Sequence, residues 1–305
     1  MKTSDLLRLY RLNNKQKQKE LTKEQSASKF SRIENGLRPI NIDEFKTAKD
    51  RLSITSEEFI RMSDLDIEQE EFIKLYRYCI THPNNKEKKQ SLLSKHYFNK
   101  KSDKLSLREM SNYIAIKRLF SNIYDEVDEV SDEELAFLCD YILNRSLLTH
   151  YDYNILMNIS SLLSRDKAEL ITRKAFPIKH EEERPYKTII FAYSIIRNFI
   201  TYRIYEYDYD SALKFIAIAK KQKFNSSNYE HRMHIRYLEN LVYYLKTGKK
   251  DYSDRISRYI RLLEDIGDTE NAKEVDLEYE QVVRERGNIG AIAPGDRPVK
   301  LILDD

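Results

Sequence analysis

The chain is 305 residues long, and only twelve of them are glycine or proline, roughly a third of ordinary usage; sheets, hairpins and glycine-cradled phosphate sites all need such turn residues, which disfavours them here. With 34% charged and 41% hydrophobic residues the sequence is that of neither a disordered chain nor a membrane-embedded one. Net charge is +3 but uneven: residues 1–38 hold ten Lys/Arg against four Asp/Glu, so the other 267 residues sum to −3, and a basic head on a mildly acidic body suits contact with a polyanion.

The head divides into five short helical stretches. Leu6, Leu7 and Tyr10 mark the first, and Lys15 to Leu21 a second that lacks the usual small apolar residues. The third runs from Ser26, a good N-cap, to Gly36, a good helix stop. Within it Phe30 and Ile33 form the inward pair at i, i+3, while Ala27, Ser28, Lys29 and Arg32 face out. The fourth opens at Ile40 and turns Phe45, Ala48 and Leu52 inward. The fifth opens at Ser53, with Thr55 or Ser56 as cap and Glu57 or Glu58 completing a capping box.

The stretch Phe30-Ser-Arg-Ile-Glu-Asn-Gly-Leu-Arg-Pro39, followed by Phe45 to Leu52 and Thr55 to Phe59, resembles the helix-turn-helix of the XRE/Cro repressor class. The resemblance implies that the third helix enters the major groove and carries the base contacts. Carried over position by position, Ala27, Ser28, Lys29 and Arg32 fall on base-facing sites, and Ser26 and Asn35 fall where donors meet phosphate. Lys29 and Arg32 suit guanine O6/N7 acceptors. Lys15, Lys17 and Arg38 are expected to supply salt-dependent phosphate contacts.

After Met62 the chain turns acidic, then runs as helix upon helix from Phe72 to Arg286, with apolar and tyrosine residues at 3–4 spacing. Thr188–Ile200 is the longest apolar run, but Arg197 and Asn198 interrupt it, and it falls short of the roughly 20 residues a membrane span needs. The N-terminus does not read as a signal peptide. Asn158, Asn198 and Asn240 recur at spacings of 40 and 42, each in the first helix of an expected pair. The second helices are expected over 167–173, 209–221 and 252–266. Two helices per unit at a period near 40 indicate an α-solenoid of degenerate TPR type.

Asparagine is a mediocre helix former, so its recurrence in helices points to a role for the amide. On the concave face of a solenoid an amide can hold the backbone of an extended peptide without reading its side chains. Asn154 shares a helix face with Asn158, Tyr202 with Asn198, and Tyr244 with Asn240. Arg197, Arg203 and Arg236 suit an acidic side chain or a terminal carboxylate.

An XRE-like head joined to a degenerate TPR-like body is similar to the Rgg/PlcR/PrgX group of Gram-positive quorum-sensing regulators. The resemblance spans about residues 1–285. It implies an all-α fold with a helix-turn-helix domain at 1–65 and a TPR-like domain at 66–286 for peptide binding and dimerisation. It also implies a cytoplasmic homodimer on double-stranded promoter DNA, switched by a short hydrophobic signalling peptide. Some members link protomers through a cysteine in the head; residues 1–65 have none, so no such bridge is expected. Two other readings stay open at this stage: a helical-repeat adaptor for a protein partner, and a ligand-independent repressor whose solenoid only dimerises.

Residues 287–305 carry three of the six glycines and the strand-like run Pro298–Leu303, and are expected to form a flexible C-terminal arm. Catalysis has no motif behind it: there is no Gly-rich phosphate loop, no His-Glu-x-x-His, no Cys-x-x-Cys and no nucleophile motif. No cofactor or metal is expected. His231 and His234 lack a third ligand, and Cys79 and Cys139 are expected to be buried thiols.

Overall fold

A computed structural model describes residues 1–21, 27–101, 104–222 and 228–284; the side chains of Ala27, Phe98 and Lys101 lie outside the description. Fifteen α-helices account for nearly all of it, and the described residues form no strand. The chain divides into two compact units, Met1–Leu92 and the residues from Leu93 onward. Ser26 and the expected arm at 287–305 lie outside the described residues.

The first unit contains α1 (Thr3–Asn13), a 3-10 turn (Gln18–Leu21), α2 (Ala27–Glu34), α3 (Ile42–Leu52), α4 (Ser56–Met62) and α5 (Ile67–Thr81). Helix α6 (Lys86–Lys101) passes from the first unit into the second. Leu6, Leu7, Leu21, Phe30, Ile33, Ala48, Leu52 and Phe59 form the core of the first unit's head, α1 to α4, each nearly fully buried. Burying a side chain of this size contributes about 1.5–3 kcal/mol, so the i, i+3 pair Phe30 and Ile33 is a principal anchor of α2. Gly36 stops that helix in the left-handed region (φ +69°), which a glycine enters without strain. Leu37 N–H then returns to the Arg32 carbonyl at 2.9 Å.

Two boundaries differ from expectation. The second stretch is no α-helix: Lys15 sits at φ +54°, which breaks helical propagation, and only the 3-10 turn follows. Ser53 does not open α4 but closes α3 in the left-handed region (φ 55°). Helix α4 instead starts from Thr55, whose hydroxyl accepts from Glu58 N–H at 3.1 Å. Asn41 caps α3 in a reciprocal box with Glu44.

The second unit continues with α7 (Leu107–Phe120), α8 (Asp132–Leu143), α9 (His150–Ile159), α10 (Arg165–Ala175), α11 (Tyr186–Tyr205), α12 (Tyr209–Lys220), α13 (Tyr229–Thr247), α14 (Lys250–Asp265) and α15 (Thr269–Arg284). Helices α7, α9, α11 and α13 stack side by side in that order. Helices α12 and α14 pack back on α11 and α13 as hairpin partners, and α10 packs on α8. Such a run of helix pairs sharing one continuous core is how a solenoid buries faces that no single repeat can bury alone. Helices α12 and α14 fall where the repeat spacing puts the second helices and pair as expected, whereas α10 covers 167–173 but packs on α8 rather than pairing with α9.

Helix α11 is the centre of this core. From Phe191 to Tyr205 only Arg197 and Thr201 are not buried, which explains a run apolar on nearly every side. No helix among the described residues is long and apolar enough to cross a membrane.

Candidate functional site

The outward face of α2 is the first candidate. With Phe30, Ile33 and Glu34 turned in, the 100° step per residue puts Ser28, Lys29, Arg32 and Asn35 on one arc, and all four are exposed. No salt bridge engages Lys29 or Arg32 among the described residues, so both charges face solvent. Lys15 and Lys17 are exposed beside the 3-10 turn. Arg38 is committed elsewhere: it donates to Glu44 at 2.8 Å, bracing the capping box of α3.

A polar network absent from the sequence reading holds this face in place. Glu34, whose side chain is 2% exposed, receives Arg11 in a two-pronged pair, Nε–Oε1 2.6 Å and Nη2–Oε2 2.9 Å. Gln18 donates to Glu34 Oε2 at 2.7 Å, and Arg11 also reaches the Gln16 carbonyl at 3.0 Å. One carboxylate thus ties α1 and the 3-10 turn to the last residue of α2. The hydrogen bond from Arg11 to Glu34 raises the guanidinium pKa further above its ordinary value. Glu34 sits inside the Ser-Arg-Ile-Glu-Asn-Gly run, so its position was visible; its partners, 23 and 16 residues away, were not.

The second candidate is the layer of α7, α9, α11 and α13. Asn154 and Asn158 do share a face, and they bond to each other: Asn158 Nδ2 donates to Asn154 Oδ1 at 2.8 Å and to its carbonyl at 2.9 Å. Arg118 of α7 reaches the Asn158 carbonyl and Ser161 Oγ at 3.0 and 2.8 Å. Asn198 Nδ2 donates to Ser160 Oγ at 3.1 Å, linking α11 to the end of α9. Asn158, Asn198 and Asn240 are all buried; the Asn158 amide turns to its own helix, whereas that of Asn198 crosses to the end of α9. Tyr202 lies in the core at 1% exposure and offers no accessible surface, because α11 is enclosed on that side too. Arg203 is likewise fully buried, paired with Glu206. Tyr244 is half-buried against Tyr279 of α15, with ring centroids 5.9 Å apart, and Arg236 is exposed and paired with Glu239.

Between α11 and α13 sits a cluster that the sequence reading did not assemble. Arg197 donates to Ser194 Oγ at 3.2 Å and to Glu230 of α13 at 3.3 Å. Next to Glu230, the His231 ring lies on Tyr193 at 3.9 Å, and neither ring nitrogen has a hydrogen-bond partner. Burial, with Arg197 adding to it, pushes the His231 pKa down to about 3.

That depression has a consequence for stability. Between pH 6.5 and about 3 the unfolded chain binds a proton at His231 that the folded chain refuses. The contribution of His231 is therefore complete above pH 6.5 and is lost as pH falls, by about 1.4 kcal/mol per unit. Urea unfolding followed at pH 7.5 and pH 5 is expected to show the loss, and His231→Phe, which keeps the ring stack, to reduce it by roughly 2 kcal/mol. Equal acid sensitivity in the variant would contradict this assignment.

Comparison with known proteins gives these two faces a context. The family model described as HTH-type transcriptional regulator Rgg, C-terminal domain, matches residues 90–277. Among solved structures the chain is similar to a PrgX/cCF10 complex, with TM-score 0.76 and 19% identity over 95% of each chain. It is also similar to a bacterial peptide pheromone/receptor complex, with TM-score 0.74 and 17% identity over 92% of this chain and 98% of that one. The Streptococcus dysgalactiae SHP pheromone receptor Rgg2 matches with TM-score 0.71 and 19% identity over 92% of this chain and 99% of that one. No curated protein matches the sequence. At these identities the solved structures speak for the fold: an all-helical chain with a helix-turn-helix head followed by TPR-like repeats, as the sequence led one to expect.

Proposed function

This chain belongs to the Rgg family of HTH-type transcriptional regulators, and we propose that it is a peptide-switched one. In this reading it is a cytoplasmic homodimer that binds double-stranded promoter DNA through the outward face of α2. A short hydrophobic signalling peptide binds along the layer of α7, α9, α11 and α13 and shifts DNA binding. The domains divide the work as the resemblance implies: residues 1–65 read DNA, and 66–286 bind peptide and dimerise. The observation that carries the proposal is the likeness to a peptide pheromone/receptor complex over 92% of this chain and 98% of that one, a span that includes both head and repeats.

The residue-level assignment follows from chemistry. Lys29 and Arg32, with Ala27 and Ser28, read base edges, and Ser26, Asn35, Lys15 and Lys17 add phosphate contacts. On the repeat layer Asn154, Asn158, Asn198 and Asn240 offer amides. Arg197, Arg236 and Tyr244 flank them. An amide that both donates and accepts suits a peptide backbone, and the apolar side chains of such a ligand need no polar partner.

The test is the affinity of the intact protein for short hydrophobic peptides encoded beside its gene. Two lost hydrogen bonds at about 0.5–1.5 kcal/mol each give an expected fall of roughly five- to 150-fold for Asn198→Ala/Asn240→Ala, with peptide-free DNA binding unchanged. Unaltered peptide affinity in that variant would remove these asparagines from the site.

A further inference from the structure

The pair Arg197–Glu230 is unequal in a way that bears on which peptides this layer would select. Arg197 is held: its side chain is 12% exposed, and Ser194 on its own helix takes one of its N–H groups. Glu230 is not held; its side chain is 71% exposed on the first turn of α13 and meets the guanidinium through one contact at 3.3 Å. A guanidinium has five donors in a planar fork and prefers a two-pronged carboxylate. In Arg197 the fork is divided instead, Nη1 meeting one oxygen of Glu230 and Nη2 meeting the Ser194 hydroxyl. The neighbouring His231, kept neutral by its burial, adds no cation beside Arg197.

We infer that Arg197 reads a carboxylate of the bound peptide and that Glu230 is a resident stand-in which the incoming carboxylate displaces. This rests on the peptide-binding reading above and narrows it: the ligand class is a short hydrophobic peptide that also carries an acid. That acid is either the free C-terminus or an Asp or Glu side chain, and both present the same two oxygens. Glu230 then acts as an internal competitor. It weakens acidic ligands by a constant factor and leaves neutral ones, which do not need Arg197, untouched.

Heptapeptide pools randomised over Leu, Ile, Val and Phe separate these points when made in three forms: free C-terminal acid, C-terminal amide, and amide with one internal Asp. Retention by the full-length protein is measured for the wild type, Arg197→Gln and Glu230→Gln. The wild type is expected to favour one or both acidic forms over the plain amide by ten- to a hundredfold, and the preferred form identifies the source of the acid. Arg197→Gln is expected to bring the ratio to within about twofold. Glu230→Gln is expected to raise retention of the preferred acidic form several-fold and leave the plain amide alone. An acid preference that survives Arg197→Gln, or acidic retention that falls in Glu230→Gln, overturns the inference while peptide binding stands. No retention of any pool by the wild type removes the peptide reading itself, and this inference with it.

Discussion

Glu34→Ala is expected to cost the first unit about 3–5 kcal/mol, the usual consequence of removing one partner from a buried ion pair. The carboxylate is 2% exposed and takes both prongs of Arg11, itself only 12% exposed. Without it a guanidinium and the Gln18 amide are left facing a void inside the head. Hydrogen exchange in the full-length protein gives the readout, because it reports opening unit by unit. Amides of α1 and α2 should lose at least a hundredfold in protection, while those of α11 and α13 keep theirs. The double variant Arg11→Met/Glu34→Leu should recover most of the loss, since apolar residues of similar volume replace such pairs at little cost. Unchanged protection in Glu34→Ala, or a double variant as unstable as the single one, would show that the pair does not hold α2 in place.

The second large effect belongs to DNA. Lys29→Ala/Arg32→Ala removes two exposed cations from α2 and leaves Phe30, Ile33 and Glu34, which anchor the helix, untouched. Loss of two base contacts worth about 1–3 kcal/mol each predicts specific affinity down by roughly thirtyfold to ten-thousandfold. Lys15→Ala/Lys17→Ala should behave differently. If these lysines meet phosphate, binding weakens evenly across sequences and the slope of log K against log salt falls by about one per lysine. Sequence preference kept in the α2 variant and lost in the loop variant would reverse the two roles.

How much of this was legible beforehand depends on the range of the interaction. The face of α2 was legible because a 3.6-residue period and a glycine stop are local signals; Phe30 and Ile33 are buried where the spacing puts them. The break at Lys15 was not, since a left-handed lysine has no compositional signature. The pair Arg11–Glu34 and the meeting of Arg197 with Glu230 join residues 23 and 33 apart, and only packing chooses such partners. The repeating asparagines were visible by their spacing, but not their burial. Helix α11 is apolar on almost every side, so periodicity could not say which of its faces stays open, and Tyr202 went to the core.

The central claim is that one chain couples a DNA-reading head to a peptide-binding repeat unit. Fluorescence anisotropy of the full-length protein tests it most directly, using DNA from beside its own gene with and without the short hydrophobic peptides encoded nearby. The account predicts salt-dependent, sequence-selective binding that is lost in Lys29→Ala/Arg32→Ala and shifts at least severalfold with one peptide. Binding that ignores DNA sequence, or a selective complex that no such peptide moves, would contradict it.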